Sequence, residues 1–474
     1  MSTVFDYLKW RGDLPFELVP LCEADALIFC ELAYIFFDGI VPESTADGKI
    51  TVAKAAETFF ERNANREIRL GEIVPNEIVD LFRLASISPR YAKVEMSGFV
   101  NIVDDQAVEQ FSAVTFYPAD GQIFVAYRGT DDSITGWRED FRMAFLTPVP
   151  AQKRAQAYLF DVARENDSKI FIGGHSKGGN LAIWAALNAD EDISERIEKI
   201  FNFDGPGFLC DIWESAEYHK ITGKLSTVIP TGSVVGLLLK YDSNYRVTRS
   251  SAKNYLYQHD ALTWEVSGGS FVCDDDVAPE IKRINDMVGR WIDSMAPETR
   301  ENFVEGFFDI LCSTNAKTVT DLAANRSAVL KAFSNIDPET KQALLAGVKF
   351  FVGEGRSSVA EQIRLLIKKR SHADGDNEAQ ADDTVDSVSE IIDTISTPKA
   401  APEAAPETPQ NAPLKLRHTS PKPTQGKKTT ASKKAAPTAA KKSVHTRIGA
   451  SAARKIGKKV KRAAKKYVVR MIKK

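Results

Sequence analysis

The stretch Gly174-His175-Ser176-Lys177-Gly178 constrains this chain more than any other, because of what flanks it. Before it, residues 169–173 (KIFIG) form a short apolar run of the kind that makes a buried strand. After it, Leu181, Ile183, Trp184 and Leu187 place apolar side chains at helical spacing. Strand, G-x-S-x-G, helix predicts a nucleophile elbow, a turn so tight that glycine is needed on both sides of the serine. Such a turn lifts the Ser176 hydroxyl clear of a sheet and aims the following N–H groups at a developing oxyanion. Without that context the same five residues would mark only a Gly-rich turn.

The near-neutral charge of the 474 residues, −2, hides an asymmetry. Residues 412–474 hold 21 Lys or Arg and no Asp or Glu, while residues 1–411 carry 41 basic against 64 acidic residues. A net of −23 is therefore balanced by a tail of +21, which points to a tail with its own partner or one that folds back on acidic surface. Five scattered cysteines without C-x-x-C spacing fit a reducing compartment better than a disulfide framework. No basic region followed by an apolar one opens the chain. Residues 24–41, the most apolar early stretch, are interrupted by Asp25, Glu31 and Asp38 and are too charged to span a membrane. A cytoplasmic protein is expected, peripheral to the inner face of the membrane if the tail binds it.

Residues 1–90 read as mostly helical, with 25–37 apolar nearly all round and hence buried. The period then changes: residues 98–103, 111–117 and 122–127 are β-branched and aromatic runs, the last two separated by Pro118-Ala119-Asp120-Gly121, a hairpin turn signal. A helix at about 151–166, the elbow, and strands at 197–203, 225–229 and 245–248 follow. Strands alternating with helices predict an α/β fold with a mostly parallel sheet covered on both faces. From 278 to 370 the pattern is helical again, with Phe303, Phe307, Ile310 and Leu311 on one face. The expected organisation is a 1–277 sheet domain, a 278–370 helical region, a 371–411 acidic Pro/Ala-rich linker and a 412–474 basic tail. Linker and tail are expected to be disordered up to a terminal amphipathic helix.

A nucleophilic serine needs a base, and the base needs a carboxylate to orient it. Of the six histidines, His372, His418 and His445 lie in linker or tail, and His175 sits inside the elbow with its side chain expected to point away from Ser176. His219 reads as a surface residue, which leaves His259, in Tyr255-Leu256-Tyr257-Gln258-His259-Asp260 after the last candidate strand. Chain order in this fold places the acid between serine and histidine. Asp204 ends the strand after the elbow helix and is the first candidate; Asp242 is its rival. For the oxyanion, one N–H is expected from Lys177 and another from Arg128-Gly129-Thr130-Asp131, where Thr130 offers a hydroxyl as well. Trp137 and Asp140 are placed to pin that loop from behind.

Val125-Ala126-Tyr127-Arg128-Gly129-Thr130, then Trp137 and Asp140, then Gly174-His175-Ser176, resembles the fungal triacylglycerol-lipase type of α/β-hydrolase. The chain is more similar still to a group of bacterial lipase-like proteins of unassigned function, Mbeg-like. The resemblance covers residues 1 to about 270, including Trp10-Arg11-Gly12-Asp13, Gly178-Gly179-Asn180 and Gln258-His259-Asp260. It implies an α/β-hydrolase fold with Ser176 as nucleophile, His259 as base and Thr130 in the oxyanion hole. The chain departs from the fungal pattern in three places. Lys177 replaces an apolar residue, Trp137 stands one residue further from Thr130, and Ser226-Thr227-Val228-Ile229-Pro230 lacks the usual aspartate. Asp204-Gly205-Pro206-Gly207-Phe208 is similar to the acid-bearing segment of pancreatic-type lipases, one strand earlier.

These residues predict a serine hydrolase acting on an acyl ester or lipid, with no cofactor. The alternative is a non-catalytic hydrolase-fold binding protein tethered by its tail. Within 445–474, Ile448, Ala452, Ile456, Val460, Ala463, Tyr467 and Met471 recur on one helical face among 12 Lys or Arg. A basic amphipathic helix predicts binding to an anionic membrane surface. Nucleic acid is the rival partner, since phosphate contacts need only positive charge.

Overall fold

A computed structural model describes residues 1–71 and 73–324 of the chain. Strands form mainly over the β-branched and aromatic runs: β1 (Ile50–Thr51), β2 (Glu95–Asp104), β3 (Glu109–Tyr117), β4 (Gln122–Tyr127), β5 (Lys169–His175), β6 (Ile197–Phe203), β7 (Leu225–Pro230) and β8 (Tyr245–Thr248). A two-stranded ribbon, β9 (Val266–Ser267) with β10 (Ser270–Phe271), and a short edge strand, β11 (Cys273–Asp274), complete them. The main sheet runs β1-β2-β3-β4-β5-β6-β7-β8-β11. Pairing is antiparallel from β1 to β4 and parallel from β4 to β8, with β11 antiparallel on β8. The turn at 118–121 joins β3 to β4 as a hairpin, with Gly121 at φ +68°.

Helices cover both faces. On one lie α1 (Val4–Arg11), α2 (Glu23–Leu32), α3 (Val52–Arg62) and α4 (Glu77–Ile87), packed through one core with Phe116, Phe124, Phe201 and Phe203 of the sheet. Phe29 of α2 stacks on Phe116 with ring centroids 4.6 Å apart. The opposite face carries α6 (Pro150–Arg164) and α7 (Lys177–Leu187), which bury Leu159, Val162, Leu181 and Ile183 against Ile123, Val125, Ile172 and Ile200. Between β4 and α6 runs α5 (Ile134–Arg142), started by Ser133, whose hydroxyl accepts from the Gly136 N–H at 3.1 Å. Two short helices, α8 (Glu191–Arg196) and α9 (Ala216–Ile221), complete the sheet region. The fold is α/β, of α/β-hydrolase type with a parallel centre.

The register decides where the chemistry can sit. Tyr127 pairs with Gly174, His175 with Phe203, and Phe203 with Val228. The C-terminal ends of β4, β5, β6 and β7 therefore reach one edge together, the edge on which open α/β sheets bind ligands. Thr130, Ser176 and Asp204 each follow one of these ends within three residues.

The helix expected over 25–37 stops at Leu32. Bonds from Tyr34 N–H to Glu31 O and from Ile35 N–H to Leu32 O tighten its last turn into 3₁₀ geometry. That turn brings Tyr34 toward the sheet edge. Beyond the sheet, α10 (Pro279–Ser294), α11 (Pro297–Cys312) and α12 (Val319–Ala324) follow. Phe308 and Val304 of α11 bury against Ile134 of α5, and Glu305 pairs with both Arg138 and Arg142. No helix among the described residues is long and apolar enough to cross a membrane. The readings made for 325–370, the linker at 371–411 and the basic tail at 412–474 lie outside the described residues.

One buried ion pair anchors α2. Arg90 donates from Nε to Asp25 Oδ1 at 2.8 Å and from Nη2 to Oδ2 at 2.6 Å, with both side chains fully buried. The Tyr7 and Tyr91 hydroxyls donate to the same carboxylate. Replacing Arg90 by Met leaves Asp25 buried without its cation, so urea unfolding should show a loss of about 3–5 kcal/mol. An unchanged midpoint would contradict this role.

Candidate functional site

Ser176 stands between β5 and α7 with φ +57° and ψ −135°, a backbone region that non-glycine residues adopt at a cost of about 1–3 kcal/mol. The surroundings hold it there. A Cβ on Gly174 would lie 2.1 Å from the Gly178 carbonyl carbon, and one on Gly178 would lie 2.1 Å from the Tyr127 oxygen. Strand, turn and helix thus touch backbone to backbone, which any larger residue forbids. The Ser176 N–H donates to Phe203 O of β6 at 2.9 Å, tying the turn to the neighbouring strand.

Asp204 leaves β6 at φ +53° and is completely buried. Its Oδ2 accepts from His259 Nδ1 at 2.7 Å, while Oδ1 accepts from the Ser233 hydroxyl at 2.5 Å and from the Gly236 N–H at 3.1 Å. Because a carboxylate only accepts, Nδ1 of His259 is the donor in that bond, and in the neutral ring Nε2 is then the nitrogen with the free lone pair. The His259 side chain remains 28% exposed. Asp242, the rival acid, accepts from the Tyr218 hydroxyl at 2.6 Å and the Asn244 N–H at 2.8 Å and does not reach His259. His219 is exposed.

His175 does more than point away from the serine. Its Nε2–H donates to the His259 carbonyl at 2.8 Å, and the two rings lie 4.7 Å apart. Its Nδ1 faces Glu31 Oε1 of α2 at 3.1 Å, close but not aligned as a hydrogen bond. Burial, with His259 adding to it, pushes the His175 imidazole well below the usual histidine value. Burial, with Asp260 adding to it, pushes the Glu31 carboxyl well above the usual carboxylate range. Burial thus favours the neutral forms of both Glu31 and His175, whose ring packs against His259. In the sequence, the signal for this pair is Glu31, an acidic residue that follows the apolar run 26–30 near the end of α2.

The loop after β4 forms the other side of the elbow serine's surroundings. A Cβ on Gly129 would lie 2.2 Å from the Tyr34 hydroxyl and 2.7 Å from the His175 oxygen, so only glycine lets this loop pass so close. The Thr130 hydroxyl donates to Asp140, so the hydroxyl expected as an additional donor is already engaged within the loop. Asp140 in turn meets Lys177 Nζ at 3.2 Å, and Glu139 meets it at 3.1 Å. Lys177 is 1% exposed. Burial opposes its charge, but Asp140 and Glu139 outweigh burial and hold its pKa above the ordinary lysine value. The apolar residue of the fungal pattern is replaced here by the centre of an ion cluster that fixes α7 to α5. Lys177 also opens α7, where its N–H has no partner within the helix.

Ser176, His259, Thr130 and Lys177 all line one cavity of about 570 Å³, with Asp204 behind His259. The walls are mostly apolar, from Trp137 and Met143 on one side of the sequence to Val288, Ile292, Phe303 and Val304 of α10 and α11. Sequence reasoning assigned no role to α10 and α11 at the site, nor to Ser233 as a partner of the acid. No group of three or more His, Cys, Asp or Glu among the described residues is placed to hold a metal ion.

The raised Glu31 carboxyl makes a pH-dependent stability prediction. Its contribution is fully present below the unfolded glutamate value, about 4.3, and is lost as pH rises through the higher folded value. Glu31→Gln does not titrate, so its stability relative to the parent should improve from pH 4 to pH 8 in urea unfolding. A constant difference would mean that Glu31 ionises as it does in water.

Residues 85–309 match the family model described as Mbeg1-like. Comparison with curated proteins found no match. Among solved structures the chain is similar to the crystal structure of M37 lipase, 16% identical, over 46% of this chain and 70% of that one, with a TM-score of 0.31.

Proposed function

We propose that this chain is a serine hydrolase that cleaves an acyl ester in the cavity at the sheet edge. The observation that carries the reading is the 2.7 Å contact between buried Asp204 and His259, in a histidine that shares its cavity with the elbow serine. With Nδ1–H held by Asp204, His259 Nε2 takes the Ser176 proton as Oγ attacks the carbonyl carbon. The carbonyl oxygen gains the negative charge and meets the N–H groups of Lys177 and Thr130. Collapse of the tetrahedral species breaks the ester bond, and His259 returns the proton to the departing alkoxide. Water then repeats the sequence on the acyl-serine and releases the acid.

Ser176→Ala should abolish hydrolysis of p-nitrophenyl butyrate with little change in thermal midpoint, because the elbow glycines remain. Asp204→Asn should lower kcat by about 10³–10⁴-fold, as loss of an orienting carboxylate does in comparable triads. Asp242→Asn should stay near the parent. Full activity in Ser176→Ala would overturn the serine-nucleophile reading, no hydrolysis by the parent would leave a hydrolase-fold binding protein, and the reverse ranking of the two aspartates would move the acid to the later loop.

The basic stretch 445–474 extends this proposal to a place of action, an anionic membrane surface. Its support is the apolar stripe set among 12 Lys or Arg. Changing Ile456, Val460 and Tyr467 to Ser or Gln keeps every charge, and should remove co-sedimentation with anionic vesicles while ester hydrolysis persists. Retained vesicle binding would reduce the tail to a polycation, and an unchanged affinity of the same variant for DNA or RNA would then favour the nucleic-acid reading.

A further inference from the structure

We infer that the ester taken by this cavity carries an anionic group, a phosphate or a carboxylate, and that Arg300 holds it. The inference rests on the esterase reading above and adds a substrate class to it. Arg300 lies in the first turn of α11 and lines the same cavity as Ser176 and His259. Its neighbours along the wall, Met143, Ala144, Phe303 and Val304, are apolar. A guanidinium has five N–H donors in a planar fork. Here Nη1 donates to the Ala144 carbonyl at 2.8 Å, while Nε is shut off from solvent and has no partner among the described residues.

The other cations around the site are treated differently. Arg138 and Arg142 are both paired with Glu305, and Lys177 with Glu139 and Asp140. Arg300 has no carboxylate within ion-pair distance among the described residues. A cation set into an apolar wall is stabilised when an anion arrives with it, and a guanidinium suits the two oxygens of a phosphate or carboxylate.

The acidic groups of the lining sit above the ordinary carboxylate range or face a cation, which weakens their opposition to such an anion. Burial raises Glu31 well above the carboxylate range, pushes Asp260 up to about 6 and raises Asp140, whose two oxygens face Lys177 and Thr130. A cavity of about 570 Å³ falls in the usual range for small-molecule sites. Its apolar walls suit one acyl chain, and Arg300 a compact charged head.

The test compares kcat/KM of the full-length protein on two matched pairs, each below its micelle concentration. One pair is 1-decanoylglycerol 3-phosphate against 1-decanoylglycerol. The other is O-decanoyl glycolate against its methyl ester, so that phosphate and carboxylate heads are told apart. The anionic member of at least one pair should be preferred by about tenfold or more, the effect of one charge-assisted contact. That ratio should fall to near one in Arg300→Gln and be partly kept in Arg300→Lys. Hydrolysis of the neutral esters with no preference for either anionic partner in the parent overturns the inference and leaves the esterase reading standing. A preference that survives in Arg300→Gln also overturns it, and assigns the attraction to other basic groups such as those of 412–474. No turnover of any of the four esters overturns the esterase reading, and the inference with it.

Discussion

The rest of the site depends on a backbone contact: β5, the serine turn and the start of α7 approach so closely that Gly174 meets Gly178 and Gly178 meets Tyr127 without side chains between them. This contact forces Ser176 into its positive-φ conformation, and it sets the first turn of α7 against the end of β4. The parallel register then fixes everything else relative to the serine. Asp204 follows β6 and the Gly129-Thr130 loop follows β4, so neither needs a long excursion to reach the same edge. Gly129 continues the same logic, since its backbone passes against His175 and Tyr34.

Around that frame the buried charges are arranged in two ways. At the start of α7, two carboxyl groups and the Gln110 carbonyl surround the fully buried Lys177 and favour its charged form. A buried cation of this kind is costly unless paired, and the pairing also links α7 to α5. On the base side, burial drives His175 and Glu31 toward their neutral forms. A neutral His175 can donate only from one nitrogen, and that nitrogen is committed to the His259 carbonyl. The histidine that faces the cavity is thus held at its ring by Asp204 and at its backbone by His175. Ser233 joins the set through the other oxygen of Asp204, and its own carbonyl accepts from Asn285 of α10 at 3.3 Å. Helix α10, one wall of the cavity, is in this way tied to Asp204.

Legibility in the sequence followed the range of the interaction. The α/β layout, the hairpin at 118–121 and the strands before and after Ser176 were readable because each depends on local period and turn chemistry. Asp204 was nameable because chain order and a Gly-Pro-Gly turn place it on the right edge. What could not be read joins distant segments: Glu31 with His175, His175 with His259, and Arg300 with Ala144 in the wall of the cavity. None of these pairs has a fixed spacing, and each is set by helix packing that periodicity does not specify. The Thr130 hydroxyl was misassigned for the same reason, since Asp140, ten residues on, claims it only once α5 has folded back over the loop. The end of α2 at Leu32 was missed because the apolar pattern runs on past the point where the last turn tightens.

The central claim is that burial and hydrogen bonding at the sheet edge make Ser176 a nucleophile. Reaction of the full-length protein with a fluorophosphonate, followed by intact-mass and peptide mass spectrometry, tests it most directly. The account predicts a single adduct, located on Ser176 and blocked when the protein is first unfolded. Absence of an adduct on the folded protein, or a modification carried by another residue while Ser176 stays unlabelled, would contradict it.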